Sequence, residues 1–232
     1  MNSSKPPYKI PPRPKAATLF MAAPVVFLGG LGLAVAILFV VTRFGDATAQ
    51  GERVEIEFSG VCMADAAPIL SARADQIGMP VSITGNTMTA TLPNMENARI
   101  LIPQLLITIG EFQANDADGK AHFTNKQIDE VAIDLDESGM PVTYVKLNAD
   151  GRAIIKNTDN ATVLTPMVDG SSFSDISMDK LKDDPVIALH SGSGMTADRM
   201  KRAADLAIVL QHGPLPCPLR IVEVSAATSS SE

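Results

Sequence analysis

Two cysteines, Cys62 and Cys217, and three histidines, His122, His190 and His212, are the residues of this chain best suited to covalent or metal chemistry. The cysteines are the only two and lie far apart, without the paired spacing of a zinc or redox site, so they are either one disulfide or two separate thiols. No histidine has a second ligand at metal-binding helical spacing, and His212 ends a helical pattern, where a cation is electrostatically favoured. His190-Ser-Gly-Ser-Gly194 is superficially like a nucleophile loop but lacks G-x-S-x-G and a preceding apolar strand; it reads as a flexible linker. Asp134, Asp136, Ser138 and Gly139 fit the first half of a calcium loop, yet position twelve is Val145, so the bidentate carboxylate is absent and a hairpin is expected. No Walker loop or dinucleotide fingerprint occurs. The expectation is no catalytic, cofactor-binding or metal-ligating residue, and no cofactor. An envelope hydrolase would instead need a pocket bringing a nucleophile to His122 or His190.

Nine methionines lie beyond residue 43: Met63, Met79, Met88, Met95, Met140, Met167, Met178, Met195 and Met200. They suit core filling or, because thioethers repack at little cost, an adaptable apolar surface for unfolded polypeptide.

These groups belong to a chain whose charge is segregated. Lys5, Lys9, Arg13 and Lys15 precede any acid, whereas residues 44–232 carry 14 bases against 26 acids, a net charge of −12. Such a surface is repelled by phosphate backbones, which argues against nucleic-acid binding. A composition 46% hydrophobic and 19% charged excludes disorder over the whole length. Between the two charge regimes, Ala16 to Thr42 is a run of 27 uncharged, mostly apolar residues. That exceeds the ~20 needed to cross a ~30 Å hydrocarbon core, and Pro24 and the glycines at 29, 30 and 32 are tolerated in such a helix. The basic flank places the N-terminus in the cytoplasm and the remainder outside. The competing reading is a signal peptide cleaved after Ala49; its apolar core would be about twice the usual ~7–15 residues. The five prolines of the N-terminal tail make it extended.

Beyond the span, 53–58 alternates as a half-buried strand, and 64–77 has helical periodicity with Asp65 near its start, Pro68 in its first turn and Gly78 after its end. Two strands, 80–84 and 87–92, flank Gly85-Asn86, a hairpin signal, and a helix is expected over 96–107 despite Pro103. Strands around 131–135 and 142–147 are joined by the turn at 136–141, and 157–185 is expected to be long loops. A helix starts at Thr196, capped by its side chain, and stops at Gly213-Pro214; a last strand covers 219–224. The order predicts an α+β fold: a base carrying a smaller inserted head.

The segment DLAIVLQHGPLPCPLRIVE at 205–223 resembles the end of the first periplasmic domain of SecD, an accessory subunit of bacterial protein export. ILSARADQIGMP at 69–80, TMTATLPN at 87–94 and 123–151 are similar to further parts of that domain, while 157–190 matches poorly. The resemblance implies one transmembrane helix followed by a ferredoxin-like base with an α+β head. The expected organisation is a tail at 1–15, the span at 16–42, a base at 53–112 and 194–224, a head at 113–193 and a polar tail at 225–232. It also implies that the first and last base strands are antiparallel neighbours, which brings Cys62 and Cys217 within disulfide range. Because the chain stops at Glu232, it is expected to lack the proton-conducting helices of SecD. The role expected is a non-catalytic, single-pass inner-membrane accessory of export whose periplasmic domain binds unfolded or exported polypeptide, or Sec channel proteins; an adaptor docking on the channel is the alternative.

Overall fold

The computed structural model describes residues 51–227. The apolar run at 16–42, the tail at 1–15, the alternative cleavage site and residues 228–232 lie outside the described residues. Among the described residues no helix is long and apolar enough to cross a membrane.

The chain enters on β1 (Glu52–Ser59), whose alternation sends Val54, Ile56 and Phe58 into the interior. Helix α1 (Met63–Gln76) follows, burying Met63, Ala66, Leu70, Arg73 and Ala74. It starts one residue earlier than expected, so Pro68 falls in the second turn; both Pro68 and Ala64, whose carbonyl loses its partner, lie on the exposed side, where water can serve. β2 (Val81–Thr84) and β3 (Thr87–Leu92) form the expected hairpin, with Gly85 at φ +58°. Helix α2 (Ala98–Ile107) starts later than expected because Asn97 adopts a left-handed conformation, φ 60°, that no helix propagates through.

Residues 112–190 build two more antiparallel sheets. One contains β4 (Phe112–Asn115), β5 (Ala121–Thr124), β8 (Val163–Val168), β9 (Ser171–Ser172) and β10 (Ile176–Ser177). The other has β7 (Pro141–Leu147) between β6 (Ile128–Leu135) and β11 (Val186–His190). Two short helices, α3 (Ala149–Asn157) and α4 (Met178–Asp183), are capped by Asn148 and Ser177. The long loops expected over 157–185 are therefore corrected to three strands and a helix. Their Asp, Ser and Thr residues serve as caps and two-residue pairings too short to show a period, and Pro166 interrupts the strand signal of β8.

Helix α5 (Thr196–Gln211) and β12 (Arg220–Ala226) return the chain to the first sheet, whose order is β12-β1-β3-β2, antiparallel throughout. The mixed α+β class expected from the sequence is thus present. Thr196 does not cap α5: Met195 occupies the cap position without a side-chain hydrogen bond. Two buried clusters hold the molecule. One joins the β1–β3 sheet to α1 and α2; the other fills the space among β4, β7, β8, β11 and α5. Helix α5 serves both, giving Ile208 to the first and Ala203, Ala207 and Leu210 to the second.

Candidate functional site

The two clusters meet at a buried cation. Arg73 is fully buried on the apolar side of α1, and its guanidinium donates to the carbonyls of Leu106 (2.8 Å), Thr108, Ile109 (3.2 Å), Val209 (3.3 Å) and Gly213 (2.8 Å). These acceptors are the C-terminal ends of α2 and α5, where unpaired carbonyls give each helix partial negative charge. Burial pushes the Arg73 pKa down to about 10, partly opposed by Asp169, so it is a cation at neutral pH. Asp169, at φ 48°, accepts from the backbone amides of Gly110 (3.0 Å) and Glu111 (2.8 Å). Asn125 grips the same segment, accepting from Phe112 N and donating to Gly110 O, both at 2.8 Å.

Beside this joint runs an open groove of about 640 Å³. One wall is Leu105 of α2 with Thr108 just past its end; the other is Arg202, Leu206 and Val209 of α5; Val168, Asp169 and Phe173 also line it. The apolar walls carry charges that are already partnered. Lys201 pairs with Asp205 at 2.6 Å, and Arg202 donates to the carbonyls of Ser191 (2.9 Å) and Ser193 (2.7 Å). With Arg199 on Gly194 O (2.9 Å), these bonds tie residues 191, 193 and 194 to α5, and the apolar strand expected to be missing before them is present as β11, with Ile187 and Leu189 buried. None of the nine methionines lines the groove, and Met63, Met79, Met88 and Met178 are buried core residues.

The histidines are dispersed. His122 Nε2 is 2.8 Å from Asp116 Oδ2, a contact that holds Asp116 below the usual carboxylate range. His190 ends β11 at the groove, 3.8 Å from Asp136 Oδ2, too far for a hydrogen bond. The neighbouring Ser191 Oγ is buried without a partner, and no hydrogen bond joins it to His190. Asp136 instead fastens the β6–β7 hairpin, its Oδ1 accepting from Ser138 N, Ser138 Oγ and Met140 N. No group of three or more metal-ligating side chains occurs among the described residues.

His212 departs from the cationic expectation, because burial and the Arg73 charge depress its pKa while Nε2 sits 2.7 Å from Gln76 Oε1. The folded protein therefore resists its protonation, and the unfolded chain takes up the proton first. Stability is expected to be full above about pH 6.5 and to fall as the pH drops through that value toward the lower folded pKa. Urea midpoints at about pH 7.5 and pH 5.5 should show this loss. The His212→Gln variant should show a smaller difference; an equal slope in the variant excludes His212 as its source.

Cys62 and Cys217 are joined in a disulfide with Cα atoms 6.0 Å apart. Strand register explains it: Ser59 of β1 faces Arg220 of β12, so the residues just beyond these ends converge. Arg73, Asp169 and Arg202 belong to no sequence motif. The signal for Arg73 was an arginine in step with Ala66, Leu70 and Ile77 on one helix face.

No family model matches the chain. Protein translocase subunit SecD from Dictyoglomus turgidum is 25% identical over 230 residues, covering 91% of this chain and 54% of that protein. The chain thus spans about half the length of this curated relative. A solved structure of SecDF, a membrane component that enhances protein export, has TM-score 0.59 and 14% identity over 75% of this chain and 100% of that chain. SecDF in its super-membrane-facing form has TM-score 0.60 and 15% identity over 84% of this chain and 34% of that chain. The folded region of this chain is therefore similar in sequence to part of SecD and in fold to the SecDF structures.

Proposed function

We propose that this chain is a membrane-anchored accessory of protein export. Its apolar run at 16–42 is a membrane anchor, with the N-terminus in the cytoplasm and the domain on the periplasmic side of the bacterial inner membrane. A ferredoxin-like base at 53–112 and 194–224 carries the head at 113–193; the order β12-β1-β3-β2 supports the base, and α5 packs against the head as well. The domain binds extended polypeptide without catalysis. The observation that carries this reading is the groove between α2 and α5, which offers aliphatic walls to side chains and already-paired charges at its rim. The disulfide suits an oxidising compartment.

A photoreactive residue at position 206, introduced in cells, is expected to capture export intermediates, whereas one at the exposed Lys156 should not. Capture of channel subunits alone would replace this reading with the docking adaptor. A hydrolytic activity abolished by His190→Ala would replace it with the envelope hydrolase.

A further inference from the structure

We propose that the first turn of α2 lies on the bilayer, with Ile100 and Leu101 inserted at the boundary between headgroups and acyl chains. The proposal rests on the reading of 16–42 as a membrane span. The geometry begins at the point where the chain enters the fold. Glu52 is held by the guanidinium of Arg99, with Nε donating to Oε2 at 2.8 Å and a terminal nitrogen donating to Oε1. Register puts the end of β3 and the end of β12 at the same edge: Glu52 faces Leu92, and Val54 faces Ala226. The start of α2 is therefore fixed beside the residue to which the tether from the membrane attaches.

That tether is short. Residues 43–51 separate the apolar run from Glu52. Fully extended they reach about 33 Å, and as a flexible coil about 17 Å. This edge of the domain consequently stays close to the lipid surface, whichever way the domain tilts. Helix α2 is also too apolar for its surroundings. It buries Ala98, Ile102, Pro103 and Leu106, yet leaves Ile100 62% and Leu101 37% exposed. Two adjacent large aliphatic side chains open to solvent in a helix's first turn are a good fit to an interface that takes aliphatic groups and leaves backbone ends hydrated. The domain's acidity rules out attraction to anionic headgroups as the driving force. Arg99 brings no unpaired charge to the surface, because Glu52 already neutralises it. Two side chains alone bind a bilayer weakly; the tether raises their local concentration enough for the contact to persist.

The chain contains no tryptophan, so one introduced indole reports without background. The full chain carrying Ile100→Trp is reconstituted into phosphatidylcholine–phosphatidylglycerol vesicles, with or without brominated acyl chains. Bromine is expected to lower the emission at least about twofold, and Leu101→Trp should behave alike. In Val61→Trp, at a fully exposed position just past the far end of β1, emission should not change. Emission at positions 100 and 101 that is indifferent to bromine overturns the proposal, including a bromine-independent blue shift such as a second copy or a protein partner covering α2 would give. Flotation after an alkaline wash separates the two failures: a chain that floats while its indole is unquenched loses this contact but keeps its anchor, and a chain that does not float loses both.

Discussion

Replacing both Cys62 and Cys217 by alanine is expected to lower the unfolding free energy by about 4 kcal/mol. The disulfide closes a loop of 155 residues, and for a loop of that length the chain-entropy model gives a ceiling of about 5 kcal/mol. The bond joins the segment leading into α1 to the segment leading into β12. Without it, β12 is held mainly by its ladder to β1, an edge strand with one hydrogen-bonded neighbour. Urea titration of the detergent-solubilised chain, followed by far-ultraviolet circular dichroism, should show the loss. Reduced wild-type protein should unfold near the variant. Unchanged midpoints in both would mean that the bond adds nothing to the fold.

Arg73→Met is expected to cost about 3 kcal/mol, although methionine fills much of the same volume. The reason is what remains: five carbonyl acceptors at the ends of α2 and α5, all facing a side chain that cannot donate. Arg73→Lys should recover less than half, because one ammonium cannot reach acceptors spread around two guanidinium nitrogens. Gly110 shows how tightly this joint is closed. A Cβ there would lie 2.4 Å from Val209 Cγ1 and 3.0 Å from an Arg73 nitrogen, at a φ of +80° that favours glycine. The measurement is the urea midpoint of each variant beside that of an exposed control, Arg220→Met. A Met variant as stable as the control would show that the buried cation is dispensable.

What the sequence revealed follows from the range of the interactions involved. The β1 strand, α1, the Gly85 hairpin and α5 were legible because alternation, helical spacing and a turn glycine are local signals. The strands β8 to β10 were not, since two of them pair through only two residues and no period exists to read. The roles of Arg73 and Asp169 were hidden for another reason. Their partners are backbone carbonyls and amides 33 to 140 residues away, and backbone groups have no residue type to search for. The cysteine pairing needed the register of β1 against β12, which only the resemblance supplied in advance. The Thr196 cap failed because the helix begins one residue early: Thr196 is already its first residue and Met195 holds the cap position.

The groove beside the Arg73 joint is proposed to hold extended polypeptide. The most direct measurement is the affinity of the full chain, in nanodiscs, for a permanently unfolded carboxymethylated polypeptide. Placing carboxylates on facing walls with Leu105→Asp and Leu206→Asp is predicted to weaken binding at least about tenfold, roughly 1.4 kcal/mol, while the fold stays intact by circular dichroism. Binding by the folded double variant as tight as that of the wild type would contradict the account.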